Sequence, residues 1–566
     1  MKNVLQPGVK ALALLLGLSF WLPAVAAAPS KLDLQLTPIT EHGAVVKMHV
    51  KLTLAHPDVK AGAPLLNMPT ELVSTPTAAY NAKQLHAVDA KGTLPLTAKD
   101  LPADDSGRYR NYLARRASVG DVTVTYSAAP RKVDASTRNG PLFDLRQQQG
   151  GIMGAGVYFL ALPVGSQPYQ LKVHWDLSQM PKGARGVWSR GEGTQQKIAP
   201  AEYLRFSFYA AGTLKSVPKD GSGDFVVYWL NKPPFDMPKL AEQSSRFYHY
   251  MAHFFGDKRS YRVFARANPY PAGGGTALAG SFMFGYGPNG QTIASGSQLL
   301  LAHEMTHTWP TFNKEGEPHA ETAWYTEGTA EFYSLLGALR SGALTQAQYL
   351  AQINDRAQAY YGNPFVHLTN AQAGKLFWRD ARAQTVPYGR GFMYLMRLNE
   401  QLKAKTAGKV SVDSLVLDIW HRQQRGETVG IADWKAMLKQ YLGEAAINDF
   451  NNMVAGKLIA PTTTAFDCLK AVEGSERPFD LGYDVMRLAQ INQLRPDSNA
   501  AKAGLKDGDE VLSYTPLAKL KADPKQLMHI VVKRSGKTLH FTYLPRSPEV
   551  KAWQWHTIAG AKCHFG

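Results

Sequence analysis

Residues 45–54, VVKMHVKLTL, place Val46, Met48, Val50, Leu52 and Leu54 on one side and mainly polar residues on the other, the period-2 pattern of a half-buried strand. Similar strand patterns return at 121–127, 203–212 and 225–230 between Gly-, Pro- and Asp-rich turns, so two layers of antiparallel sheet are predicted over about 30–230. From about 240 the spacing becomes helical, and 244–257, 298–309, 321–340, 388–405 and 431–441 read as helices. Between the first two lies 268–290, which reads as a loop, an edge strand and a second loop. The last hundred residues return to strand, with a hairpin over 528–544 turning at Ser535-Gly536 and one short helix near 524–531.

With 566 residues the chain exceeds what one hydrophobic core organises, so several domains are expected. A composition of 45% hydrophobic and 19% charged residues excludes a disordered or fibrous chain. The formal charge is +18, but the basic residues are scattered, with no zinc-finger spacing and no basic–aromatic motif. They predict a solvated basic surface and no nucleic-acid partner. Lys2 and Lys10, the apolar run 11–22 and the small residues of 24–30 predict a signal peptide cleaved after Ala26. That run is short of the ~20 residues a bilayer core requires, and no later stretch is apolar enough to cross. Secretion without stable membrane insertion is expected, with the bacterial periplasm as the compartment. The only cysteines, Cys468 and Cys563, bracket the last part of the chain, where an oxidising compartment would allow one disulfide.

The segment LLLAHEMTHTWP (299–310) carries the chemistry. On a helix, capped by Ser297 and stopped by Pro310, His303 and His307 lie on one face and reach a single tetrahedral ion. Neutral imidazoles suit Zn²⁺, and Glu304 stands where it can take a proton from an attacking water and pass it to a leaving amine. A third ligand is needed, and Glu327 in AWYTEGTAEFYSLLGAL (323–339) is the candidate. Glu331, one turn on, can hold the other N–H of a ligand histidine. His319 and Glu321 lie upstream of this helix as cleft-lining candidates. Hydrolysis of an amide also develops an oxyanion, for which VPYGRGFMYLM (386–396) offers two donors, the Tyr388 phenol and the Arg390 guanidinium. Spacing does not choose between them.

Taken together, HEMTH, WYTEG and YGRG resemble the glycyl-aminopeptidase-like family of gluzincin zinc metallopeptidases. FDLGYD (479–484) and SNAAKAGLKDGDEVLSY (498–514) look like the PDZ domain that such enzymes carry at their C-terminus. The resemblance implies one Zn²⁺ per chain on His303, His307 and Glu327, with Glu304 as general base and Tyr388, rather than Arg390, steadying the tetrahedral intermediate. It implies a multidomain fold: signal peptide 1–26, an antiparallel β domain 27–235, a thermolysin-like mainly α catalytic domain 236–465, and a PDZ domain 466–566, a small β barrel with helices. There Leu481, Gly482 and Tyr483 would offer backbone N–H groups to a C-terminal peptide carboxylate, and Cys468–Cys563 would close the module.

One departure bears on substrate. Related aminopeptidases hold the substrate's α-amine with a glutamate in the glycine-rich stretch, here 273–287, whereas no Asp or Glu occurs from Lys258 through His303. The expected function is hydrolysis of peptides or proteins by a secreted zinc metallopeptidase, with aminopeptidase and endopeptidase action both open. The alternative is a catalytically weak peptide-binding protein acting through its PDZ domain.

Overall fold

The computed structural model describes residues 29–565 except 74, 104–106, 136, 138–139, 271–273, 289–295, 310, 378 and 486–487. The expected signal peptide and the Pro310 helix stop lie outside the described residues, as does the Ser297 side chain.

The N-terminal part is built of sheets. Seven strands run in the order Gln195–Pro200, Pro168–Trp175, Ser30–Glu41, Ala44–Leu54, Val122–Ala128, His86–Asp89 and Gly92–Thr93. All pair antiparallel except Ser30–Glu41 with Pro168–Trp175. Alternation does what the sequence pattern asks: Leu32, Leu34, Leu36, Met48, Val50 and Leu52 are fully buried in one core. Val46 departs from it. The register shifts so that Thr40 faces Val45 while Ile39 faces Lys47, leaving Val46 as the extra residue of a bulge and Val45 buried in its place. In 203–212, Glu202–Arg205 forms one helical turn and only Phe208–Gly212 is strand.

A five-stranded sheet then joins this part to the helices. Its order is Lys215–Val217, Phe225–Trp229, Tyr261–Ala267, Ser281–Tyr286 and Gly274–Leu278, and it begins upstream of residue 235. One face, with Val227, Val263, Ala265, Phe282 and Phe284, packs into the helical core. The other, with Val226, Tyr228, Phe264 and Met283, packs on the N-terminal sheets. Burial on both faces explains why these strands read as continuous apolar runs. The glycine-rich stretch contributes two strands rather than one: Ser281–Tyr286 lies inside the sheet, parallel to Tyr261–Ala267, and Gly274–Leu278 forms its edge.

The main helices are α1 (Met237–Phe254), α2 (Gly296–Thr306), α3 (His319–Arg340), α4 (Gln346–Tyr361), α5 (Asn370–Leu376), α6 (Val386–Thr406), α7 (Val412–Gln424), α8 (Ile431–Leu442) and α9 (Glu444–Val454). Trp324, Trp434 and the Phe450 ring interlock α3, α8 and α9, edge to face. Among the described residues no helix is long and apolar enough to cross a membrane.

The C-terminal hundred residues hold two sheets. Thr464–Ala465, Leu469–Glu476 and Val550–Thr557 form the first, whose Leu469, Ala552 and Trp555 are buried in the helical core. Asn354 of α4 bonds both the N–H and the carbonyl of Trp555, at 2.8 and 2.9 Å. Cys468 and Cys563 are joined in a disulfide beside this sheet. Between Glu476 and Val550 the chain makes a second, small module with its own core of Leu481, Tyr483, Ile491, Leu505, Ile530 and Val532. Its sheet contains Glu510–Tyr514, Met528–Arg534 and Lys537–Tyr543. The hairpin turns at Ser535-Gly536, both at positive φ (48° and 78°), as a two-residue turn of type I′ demands. The short helix is not at 524–531 but at Leu517–Ala522; the β-branched run Ile530, Val531, Val532 makes the later segment strand.

Candidate active site

Helices α2 and α3 bring the chemistry together. His303 projects from α2 and His307 from the turn directly after its last residue, Thr306, with their rings 4.9 Å apart and nearly perpendicular. Glu327 comes from α3: its Oε2 lies 3.2 Å from His303 Nε2 and 3.6 Å from His307 Nε2. The three ligand atoms all fall within 4.8 Å of one another. Nitrogen and oxygen ligands at about 2.0–2.1 Å from a tetrahedral zinc stand about 3.3 Å apart. The donor set fits Zn²⁺ in chemistry, and the two spacings to Glu327 fit it in size.

Behind the ligands, His303 Nδ1 lies 3.1 Å from Glu331 Oε1, which favours Nδ1–H and leaves Nε2 free to bind a metal. Arg356 of α4 donates from Nε to Glu331 Oε2 at 2.9 Å and from Nη1 to Gln352 Oε1 at 2.6 Å. Nothing in the spacing of the sequence points to Arg356 or Gln352. Burial works against charge on His303, but the bonds to Glu327 and Glu331 raise its pKa, so a metal at Nε2 takes the place of a proton there. Burial opposes charge on Glu331 too, yet His303 and Arg356 bring its carboxyl down to about 2. Burial and the neighbouring His303 charge push His307 down to about 4. Half-buried Glu304 is pushed up to about 7 by desolvation, with His303 pulling it down and Glu327 adding to the rise.

Tyr388 and Arg390 part company. The Tyr388 ring stacks on His303, with centroids 5.6 Å apart and planes 7° apart. Burial, then Glu327, Glu304 and Glu331, drive its phenol well above the usual tyrosine range, so it stays a hydrogen-bond donor. Arg390, two residues on, faces away: it is fully buried and bonded to Asn370 Oδ1 and to the carbonyls of Val366 and Leu368. The glycines of WYTEG and YGRG explain how Tyr388 arrives. Gly328 and Gly391 sit where α3 crosses α6; a Cβ on Gly391 would run into the Trp324 carbonyl and Gly328. Only bare backbone lets the helices of Glu327 and Tyr388 approach so closely.

Glu321 lies in the first turn of α3, and His319 packs edge-on against Phe377; neither joins the ligand set. In the C-terminal module Leu481 and Tyr483 are core residues, and the Gly482 N–H is donated to Asp480 Oδ1 at 2.8 Å. The described residues after this loop, 485 and 488–489, are helical turn and turn rather than strand.

Residues 297–378 match the family model of the M61 glycyl aminopeptidases. No curated protein matches the chain in sequence. In fold, the chain is similar to the crystal structure of an aminopeptidase N family protein from Idiomarina loihiensis, with a TM-score of 0.63 at 13% identity over 93% of this chain and 98% of that one. An M1 zinc metallopeptidase variant from Deinococcus radiodurans, solved with a Tyr-Ser-Ala substrate, matches at a TM-score of 0.44 and 17% identity over 76% of this chain and 95% of that one. The segment matched in sequence is the one that contains both histidines, Glu304 and Glu327.

Proposed function

We propose that this chain hydrolyses peptide bonds with Glu304 as general base and Tyr388 as oxyanion donor, beside a zinc ion held by His303, His307 and Glu327. The observation that carries the proposal is the convergence of those ligands with a half-buried carboxylate and a neutral phenol on two crossing helix pairs. Zinc, when bound, supplies Lewis-acid polarisation and makes water acidic enough to attack near neutral pH. Glu304 takes the proton of the attacking water and delivers it to the departing nitrogen. Tyr388 donates its hydroxyl proton to the oxygen on which charge develops. Glu331 keeps the His303 ring in one tautomer and orientation throughout.

The test is Glu304→Gln. It should bind zinc like the unsubstituted protein and lose about 10²–10⁴-fold in turnover, the usual worth of a general base. Unchanged turnover would reject the assignment.

An aminopeptidase is the reading the family match supports. The absence of any carboxylate from Lys258 through His303, a stretch that includes the edge strand Gly274–Leu278, supports an endopeptidase as the second, since a buried ammonium requires an anionic partner. Peptides with free and acetylated N-termini separate them: cleavage of free peptides alone establishes the first, cleavage of both the second. We place the enzyme outside the cytoplasm, most simply in a periplasm, on the strength of the leader-like 1–26 and the Cys468–Cys563 disulfide. We also assign peptide binding to the cleft rather than to a PDZ groove at 481–483, because Asp480 already takes the Gly482 N–H.

A further inference from the structure

On the solvent side of α1, half-buried Ser245 and exposed His249 and His253 follow one another four residues apart, so they form one row along the helix. His249 is held at both ring nitrogens. Its Nδ1 lies 3.2 Å from Ser245 Oγ, and its Nε2 lies 2.9 Å from Asp224 Oδ1. Asp224 comes from another element. It stands directly before the strand Phe225–Trp229, where Arg262 fixes the backbone by donating to the Gly223 and Asp224 carbonyls at 3.0 and 2.9 Å. The arrangement repeats that of His303, whose Nδ1 rests on Glu331 at 3.1 Å and whose Nε2 faces Glu327 at 3.2 Å.

An exposed His–Asp pair alone is worth about 0–1 kcal/mol, and these two side chains are 51% and 54% exposed. The second imidazole changes what the pair can do. Histidines at i and i+4 on a helix reach one tetrahedral ion. Helical side chains also lean toward the N-terminus, which carries His253 back over the turn of His249. After α1 the chain returns through Asp257, whose N–H is donated to the Ala252 carbonyl at 2.8 Å, to Tyr261, whose N–H is donated to the Asp224 carbonyl at 2.6 Å. The last turn of α1, and His253 with it, therefore lies at the Asp224 end of the sheet. Among the described residues only His303, His307 and Glu327 already bring three ligand atoms within 4.8 Å of one another. Exposed His253 closes the second set by turning about its own side-chain bonds.

We propose that His249, His253 and Asp224 form a second metal site, which takes a divalent transition cation and clips the last turn of α1 to the sheet. Two imidazoles and a carboxylate suit Zn²⁺, Ni²⁺ or Cu²⁺, whereas Mg²⁺ and Ca²⁺ require oxygen ligands. Ser245 positions the His249 ring by holding Nδ1. The first equivalent of zinc fills the enclosed set of His303, His307 and Glu327, and the second fills this exposed one. No step of the hydrolysis passes through it.

The experiment titrates the metal-free full chain with Zn²⁺ against a chromophoric chelator and follows the melting temperature at one and two equivalents. The unsubstituted protein should bind two equivalents, and the second should raise the melting temperature, because it binds the folded state alone. His253→Gln should keep the first equivalent and weaken the second by at least about tenfold, since even groups behind a ligand are worth about 10–100-fold. The second melting shift should vanish with it, and Asp224→Asn should act in the same direction. Excess Mg²⁺ should displace neither ion. A second equivalent that binds His253→Gln at full strength, or that Mg²⁺ displaces, overturns the proposal and leaves His249 and Asp224 a surface ion pair. So does a single equivalent that survives His253→Gln; a single equivalent lost in that variant keeps this site and counts against the catalytic one. Should Asp224→Asn fail to fold, His253→Gln decides alone, because the His253 side chain makes no hydrogen bond among the described residues and its loss spares the fold.

Discussion

Replacing Glu331 by Gln isolates the contribution of the carboxylate behind the metal ligands. The wild-type carboxylate serves two groups at once, His303 Nδ1 at 3.1 Å and Arg356 Nε at 2.9 Å, in a site where its side chain is only 15% exposed. Glutamine has one acceptor oxygen for those two sites, and its NH₂ must then face one of two donors. Either the imidazole loses the partner that fixes its tautomer, or Arg356 loses its anion. Outer-shell changes of this kind weaken metal binding by about 10–100-fold, or about 1.4–2.7 kcal/mol. The assay is zinc competition with a chromophoric chelator at fixed pH, on both proteins, with thermal melts of each with and without zinc. A zinc affinity within twofold of the unsubstituted value in a folded Gln variant would refute this reasoning and reduce Glu331 to an ordinary helix acid. Arg356→Ala should weaken zinc in the same direction, because the same carboxylate loses its second anchor.

Three further outcomes follow from named contacts. Tyr388→Phe keeps the ring stacked on His303 but removes the donor, so kcat should fall about 10²–10³-fold with KM little changed; a shift confined to KM would count against the oxyanion role. Gly391→Ala puts a methyl group against the Trp324 carbonyl, forcing α3 and α6 apart; the melt should drop by the about 1–3 kcal/mol of an overpacked core, and kcat should fall with it. Asp144, nearly fully buried, is held below the usual carboxylate range: burial alone would raise it, but Arg266, Arg146 and Arg131 pull it down. A depressed folded pKa stabilises the protein fully above about 3.9, and that contribution is lost as pH falls through the lowered value, so acid melts should show a limb in that window that Asp144→Asn lacks. The same variant leaves Arg266 buried without its anion and should cost about 3–5 kcal/mol at neutral pH.

Much of the site is legible in the sequence because helical periodicity is itself a geometric statement. The spacing of His303 and His307 places them on one face, and Glu331 sits one turn from Glu327, so the ligand and its supporting acid are spatially ordered before any coordinates exist. Tyr388 and Arg390 could not be ranked that way by composition alone. Two residues apart on α6 they point to different sides, and only the neighbours of α6, the Val366 and Leu368 carbonyls ahead of α5 on one side and His303 on the other, say which faces the ligand set. Arg356 and Asn370 carry no local signal, because their roles depend on how α4 and α5 pack against helices distant in sequence. The bulge at Val46 and the helix at Leu517–Ala522 rather than 524–531 show the same limit: alternation gives the element, while its register and ends depend on partner strands and turns.

The most direct test is an anomalous-difference map at the zinc edge from crystals of the zinc-loaded chain. A single peak about 2.0–2.2 Å from His303 Nε2, His307 Nε2 and a Glu327 carboxylate oxygen is the predicted result. A peak elsewhere, or none between those three side chains, would contradict it.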